Sequence, residues 1–248
     1  MTTDPQAPAA YYEVSDSLAR VYLNRPRQIN AFNVAMRDAL WEVLRALHDD
    51  PGIDAVLLQG NGDRGFCSGA DLTEFGTAPS RVIAREARYL RDVWRLLRDL
   101  PVPTVAALHG WVIGSGLEMS LCCDLRIASD DAVFSLPEVP LGMIPFATGS
   151  QGLPRTVGRT RALDLLLTGR RFDAQEALRM GLVHHVVPRA DLTSAALDIV
   201  ATVRRSPRSA SRRAKEALAR GRDLPLPAGL AVEARLAAAC LWEATHSP

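Results

Sequence analysis

The sequence predicts an α/β domain that continues into a mainly helical region. Short apolar segments typical of buried strands alternate with helical patterns up to about residue 157. Beyond that point helical patterns predominate, and one strand-like run follows Gly181, in which His184 and His185 are expected to be structural. With 248 residues, of which 48% are hydrophobic, the chain is long enough for one large domain with a substantial core.

Each element of the first half follows from a local pattern. Alternating or continuous apolar residues predict strands, apolar residues at helical spacing predict helices, and clustered glycines predict loops. The predicted strands lie within residues 11–24, 53–60, 104–110 and 124–128, the helices over 34–48, 79–100 and 114–123, and a loop over 60–71. Asn33 is placed as an N-cap.

The second half is predicted as helices over 161–168, 174–180, 190–204 and 209–220. Gly169 and Gly181 are expected to end two of them, since glycine readily adopts the left-handed conformation that follows a helix. Many Arg and Lys residues fall within 204–222, which is typical of the solvated face of an amphipathic helix.

Composition excludes several classes of function. A net charge of +1 provides no global field for nucleic acid or an anionic membrane, and no apolar run is long enough to span a bilayer. Residues 1–10 lack the features of a secretory signal and are predicted to be a mobile tail. The four cysteines form no CxxC pair or zinc-like spacing, so we expect free thiols, no metal and a cytoplasmic location.

Three segments carry residues suited to chemistry at one site. Residues 65–72, GFCSGADL, and 109–118, HGWVIGSGLE, each follow a predicted strand with glycines and then a helix start, where N–H groups are free to bind an anion. Glu118 lies in the first turns of the second helix, where the helix dipole alone would favour a glutamate. Glu138 lies in the apolar segment 134–145, which predicts either a raised pKa or an arginine partner.

Taken together these segments resemble the enoyl-CoA hydratase/isomerase (crotonase) superfamily. The resemblance is carried by LNRPRQINAFN, FCSGADL, HGWVIGSGLEMSLCCDLRIAS, FSLPEVPLGMIP and the stretch from GLPRTVGR to GLVHHVV, which cover most of residues 18–190. It implies a crotonase-like spiral of repeated ββα units over residues 11–190. It also implies a C-terminal helical subdomain over 191–248 that takes part in oligomerisation and covers the active site.

The resemblance also implies roles for particular residues. Glu118 and Glu138 correspond to the acid–base pair of a hydratase, and the N–H groups of Ala70 and Ser115 correspond to its oxyanion hole. Residues implied to bind CoA or the acyl chain are Arg25, Arg27, Ile29, Ala31, Ser68, Asp71, Leu72, Phe75, Gly114, Leu141, Met143 and Phe146. The implied partner is an acyl-CoA thioester, with CoA as part of the substrate and no other cofactor. The implied assembly is a trimer or a dimer of trimers.

Two positions depart from the family pattern. Ser115 stands where glycine is usual, which would strain the backbone if that position needs a positive φ. Phe146 follows the IP of the third segment, where the family favours glycine, and its bulk is expected to change the shape of the acyl pocket.

Hydration of a trans-2-enoyl-CoA is the leading hypothesis, because both carboxyl groups are present. Three alternatives stay open: Δ3–Δ2 isomerisation, which can run on one carboxylate; a specialised dehydratase, suggested by Phe146; and a non-catalytic acyl-CoA-binding protein.

Overall fold

The computed structural model describes residues 7–246, and the side chains of all of these except residues 84, 85, 87, 88, 244 and 246. Its strands are β1 (Ala10–Ser15), β2 (Leu18–Leu23), β3 (Ala55–Gly60), β4 (Thr104–Leu108), β5 (Trp111–Ile113), β6 (Leu125–Ser129), β7 (Val133–Ser135), β8 (Phe172–Asp173) and β9 (His185–Val187). Its helices are α1 (Val34–Asp49), α2 (Arg81–Tyr89), α3 (Val93–Arg98), α4 (Ser115–Cys122), α5 (Gly149–Val157), α6 (Arg159–Thr168), α7 (Ala174–Arg179), α8 (Leu192–Arg204), α9 (Arg208–Gly221) and α10 (Leu226–His246).

The strands form two sheets. The larger has six strands in the order β1-β2-β3-β4-β6-β9, and only the β1–β2 pair is antiparallel. The smaller has the order β5-β7-β8, with β5 and β7 parallel. Strands and helices alternate, so each parallel pair is joined by a crossover, as the sequence predicted for the first half.

Apolar side chains cover both faces of the larger sheet. One face packs against α1, α3 and α4 around Leu40, Leu58, Leu97 and Leu117, which are almost fully buried. The other face packs against α8 through a smaller cluster that includes Leu57, Ile127 and Val200. A sheet covered on both faces needs continuous apolar strands, and β3 and β4 have this pattern.

The prediction of one continuous helix over residues 79–100 is wrong. The chain forms α2 and α3 instead, because the side chain of Asp92 accepts a hydrogen bond from Arg95 N and caps a new helix. Asn33 caps α1 as predicted, through a bond from Met36 N. The helix predicted over 190–204 begins at Leu192, after a short 3-10 turn.

The first residues of the described chain are part of the fold. Ala10 starts β1, and Asn24 N donates to Ala9 O at 2.7 Å, so this end of the predicted tail is bonded to the sheet. Residues 1–6 of that tail lie outside the described residues. Among the helices of residues 7–246, none has the length and apolar character needed to cross a membrane.

Candidate active site

Three segments run side by side in the same direction towards the candidate site. Val112 pairs with Phe134 within the smaller sheet, and on its other side it forms a parallel bridge with Cys67. Cys67 N donates to Trp111 O at 3.0 Å, and Ile113 N donates to Cys67 O at 2.9 Å. Continued by three residues, the register places Ala70 opposite Ser115. Carboxyl ends of parallel strands are the usual place for a ligand in such sheets.

Gly69 and Gly114 touch at the point where this register ends. A Cβ placed on Gly114 would lie 3.7 Å from Gly69 Cα, and one on Gly69 would lie 3.9 Å from Gly114 Cα. Both glycines have positive φ, +102° and +50°. Their contact brings the next residues, Ala70 and Ser115, to the same end of the paired segments.

The Ala70 N–H points away from the loop beside it. Phe32 forms a bridge to Ala70, in which Phe32 N donates to Gly69 O at 2.8 Å and Asp71 N donates to Phe32 O at 2.9 Å. Gly69 C=O and Ala70 N–H belong to one planar peptide and point in opposite directions. Since the carbonyl is bound to Phe32, the N–H is turned towards the Ser115 side, and it donates no hydrogen bond within residues 7–246.

Ser115 is the first residue of α4, so its N–H is one of the unpaired donors of the helix start. The strain expected at this position is absent, because Gly114 and not Ser115 has the positive φ. Serine is therefore accommodated without the backbone cost that its sequence position suggested.

Glu118 is held by a ring of backbone donors. Only 3% of its surface is exposed. Its Oε1 accepts hydrogen bonds from Ala147 N at 2.9 Å, Thr148 N at 3.0 Å and Gly149 N at 2.9 Å. Three N–H donors on one oxygen suit a charged carboxylate and fix its orientation.

Glu138 has the opposite surroundings. Its Oε2 is buried and has no hydrogen-bond partner, and no arginine pairs with it among the described residues. Burial raises the pKa of Glu138 to about 7, and the neighbouring Glu118 acts in the same direction. Its Oε1 would lie 2.7 Å from a Cβ on Gly114, so this carboxyl lies directly against the residue that precedes Ser115.

The predicted binding residues fall into two groups. Arg25 and Asp71 form an ion pair at 3.0 Å, and Ala31 is buried beneath the Arg25 side chain, to which it offers its carbonyl. Most of the others are exposed or half-buried along the loops around the site. This second group comprises Arg27, Ile29, Ser68, Leu72, Phe75, Leu141, Met143 and Phe146.

Cys67 and His184 have surroundings that suit structural roles. Burial raises the pKa of the Cys67 thiol to about 12, which suits packing and not nucleophilic attack. His184 Nδ1 accepts a hydrogen bond from Arg126 N at 3.1 Å, which is a structural contact. Within the described residues, no cluster of three or more His, Cys, Asp or Glu residues could hold a metal ion.

Two features of the site were missing from the sequence prediction. The amides of residues 147–149 that hold Glu118 carry no side-chain signature. Asn30 is fully buried, accepts from Arg25 N at 2.8 Å and donates to three carbonyls of the 61–66 loop. The only hint in the sequence was an asparagine beside Ile29 within an otherwise apolar INAF stretch.

Comparison with known proteins defines first the fold and then the family. The crystal structure of an enoyl-CoA hydratase from Bacillus anthracis superposes with a TM-score of 0.87 and 36% identity, covering 92% of this chain and 89% of that one. The fold is therefore the predicted α/β crotonase fold with a C-terminal helical region.

The sequence matches the family described as enoyl-CoA hydratase/isomerase over residues 13–245. A crotonyl-CoA hydratase of Syntrophomonas wolfei is 37% identical over 226 residues, 90% of this chain and 85% of the relative. An (E)-benzylidenesuccinyl-CoA hydratase of Thauera aromatica is 36% identical over 220 residues, with 88% and 85% covered. The chain belongs to the enoyl-CoA hydratase/isomerase family.

Proposed function

We propose that the protein is an enoyl-CoA hydratase that adds water reversibly, and syn, to a trans-2-enoyl-CoA. The observation that carries this proposal is the pair of unlike carboxyl groups beside two unpaired N–H donors. Glu118 is surrounded by donors that suit a charged base, whereas Glu138 is half-buried, with a pKa raised to about 7, so that a substantial fraction of it can carry a proton near neutral pH. Hydration needs one group of each kind.

In the proposed reaction the Ala70 and Ser115 N–H groups bind the thioester oxygen. Negative charge moves onto that oxygen when water attacks the β-carbon, and fixed donors stabilise it at little reorganisation cost. Glu118 takes a proton from the attacking water. Glu138 gives its proton to the α-carbon, and proton exchange with solvent then restores both carboxyl groups.

The CoA moiety is proposed to lie along the exposed loops, as a part of the substrate and not as a separate cofactor. Arg27 is exposed and makes no ion pair within the described part of the chain, which suits a phosphate contact. Ser68, Ile29, Gly114, Leu72 and Phe75 would line the path of the thioester end, with Leu141, Met143 and Phe146 around the acyl group. Exposed apolar side chains at Leu72, Phe75, Leu141 and Phe146 favour an apolar acyl chain.

We further propose that the active form is a trimer or a dimer of trimers. Supporting this, α9 and α10 pack mainly on each other and expose Leu218, Leu226, Leu230 and Leu241. Sedimentation analysis would test the assembly, and a monomer at micromolar concentration would contradict it.

The activity test is a turnover screen of trans-2-enoyl-CoAs that differ in length, branching and aromatic content. Hydration removes the conjugated double bond, so absorbance of the enoyl thioester should fall for at least one member. Tight binding of CoA without any turnover would instead favour an acyl-CoA-binding protein.

Isomerisation of a Δ3 double bond is the second candidate. It is favoured by the unpartnered Oε2 of Glu138, because a single carboxyl group with a free oxygen can move a proton between Cα and Cγ. The Glu118 variant described in the Discussion separates the two reactions.

A further inference from the structure

Arg25 is the starting point of a hydrogen-bond chain that ends at the candidate oxyanion hole. Its Nη1 donates to Ala31 O at 2.5 Å. Ala31 C=O and Phe32 N–H are the two ends of one peptide group, and Phe32 N donates to Gly69 O at 2.8 Å. Gly69 C=O is in turn the far end of the peptide that carries Ala70 N–H. Two peptide groups therefore connect the guanidinium to the Ala70 donor.

Hydrogen bonds in such a chain polarise one another. A cationic donor on Ala31 O withdraws electron density from its peptide and makes Phe32 N–H a stronger donor. The same effect passes through the Gly69–Ala70 peptide to the Ala70 N–H. The hydrogen-bond chain also fixes the direction in which the Ala70 N–H points. This matters because Gly69, with a φ of +102°, lies in a region where glycine is conformationally free.

Asp71 holds Arg25 in this position. Its Oδ2 accepts from Arg25 Nη1 at 3.0 Å, while Oδ1 accepts from Thr73 Oγ1 at 2.6 Å and Thr73 N at 3.2 Å. Hydrogen bonds from Thr73 and from Arg25 lower the pKa of Asp71. The side chains of Arg25 and Asp71 are only 19% and 12% exposed, so both charges are engaged within the protein and not presented to a CoA phosphate.

We propose that Arg25 is a positioning residue for the Ala70 oxyanion donor, acting through the two peptide groups, and that Asp71 keeps it in place. This inference rests on the proposed function, because it assumes that Ala70 N–H binds a thioester oxygen. It replaces direct CoA binding, the role that the family resemblance implied for Arg25 and Asp71.

The test compares Arg25→Gln and Arg25→Lys with Arg27→Gln, which removes an exposed arginine two residues away. Arg45→Gln, on the exposed side of α1, controls for the loss of one positive charge. Four quantities are measured: affinity for CoA, kcat and KM for crotonyl-CoA, and the C=O stretch of bound butanoyl-CoA. Butanoyl-CoA has no double bond to hydrate, so its carbonyl reports the donors alone.

We expect Arg25→Gln to leave CoA affinity unchanged and to lower kcat by about 10- to 100-fold, in the range of a misplaced reacting group. The C=O stretch should return towards its value in free butanoyl-CoA. Arg25→Lys retains a charge that can reach Ala31 O, so it should recover part of both effects. If Arg25→Gln does not fold, which thermal unfolding will detect, Arg25→Lys still tests the inference.

Two results would overturn the inference. One is a loss of CoA affinity like that of Arg27→Gln with an unchanged C=O stretch, which would mean direct contact with CoA. The other is no change in kcat and stretch. A wild-type protein that lowers the C=O stretch but hydrates no enoyl-CoA would refute the hydratase proposal alone, and the stretch of the variants would still test Arg25.

Discussion

Glu118 and Glu138 lie at one site but in contrasting segments of the chain. The loop around Glu118 turns three successive amides, those of residues 147–149, onto one carboxylate oxygen. The segment around Glu138 offers no hydrogen-bond partner to its buried Oε2, and none comes from elsewhere in the described part of the chain. The comparison shows that one fold gives two identical side chains unequal surroundings, because backbone donors converge on Glu118 while burial raises the pKa of Glu138 to about 7.

The largest expected effect is that of Glu138→Gln. The amide has no acidic proton to give to the α-carbon, so hydration of crotonyl-CoA should fall by about 10³-fold, within the usual range for general acid–base groups. Absorbance of the conjugated thioester measures the rate. CoA affinity should be unchanged, and hydration at more than a tenth of the wild-type rate would contradict the role of Glu138.

Glu118→Gln should lower hydration by about 10²- to 10³-fold, since water loses its base. The amide oxygen still accepts from residues 147–149 but carries no full charge, so some loosening of this loop is also expected. Isomerisation of a 3-enoyl-CoA should survive in this variant and fail in Glu138→Gln. If instead hydration persists in Glu118→Gln, a mechanism that uses Glu138 alone is favoured.

Gly114→Ala tests the close contact between Glu138 and the strand end. The new Cβ would lie 2.7 Å from Glu138 Oε1 at a φ of +50°, so both the carboxyl group and Ser115 should shift and kcat should fall by about 10-fold or more. Gly142→Ala is the matched control, because Gly142 has a φ of +77° and nothing within 4 Å of its Cβ. Equal losses in the two variants would attribute the effect to backbone strain.

Within one unit of neutral pH, the smallest effect is the pH dependence. Glu138 acts as an acid in hydration, and its pKa of about 7 means that the protonated form is lost as pH rises above that value. The hydration rate should therefore fall above pH 7, by about 10-fold per unit at the limit. A rate profile that is flat between pH 6 and about 9 would show that Glu138 does not supply the proton.

The sequence predicted the elements with strong local patterns and missed those without them. α1 and its Asn33 cap were found because apolar spacing and capping chemistry agree. β5, β7 and β8 have only three, three and two residues, too few for periodicity to register, and α5 contains Pro154 together with two glycines. The break between α2 and α3 depends on one capping side chain, Asp92, in an otherwise continuous helical pattern.

At the site, the sequence identified the side chains but not the backbone. Glu138 is identified because a carboxyl group is rare in an apolar segment, Glu118 because it lies at a helix start after a glycine-rich turn, and both because the family pattern has glutamates there. The amides that hold Glu118, and the peptide chain from Arg25 to Ala70, involve groups that every residue possesses. Only the fold decides which of them converge, so composition and spacing carry no information about them.

The contact between Gly69 and Gly114 has a consequence for engineering. Directed evolution of acyl selectivity would gain little from randomising either codon, because both positions have a positive φ that strains other residues, and a Cβ on Gly114 would also lie only 2.7 Å from Glu138 Oε1. Leu72, Leu141 and Phe146 are more than half exposed and tolerate changes of volume. A small combinatorial library confined to these three positions would vary the substrate range and leave the two glutamates and the two N–H donors unchanged.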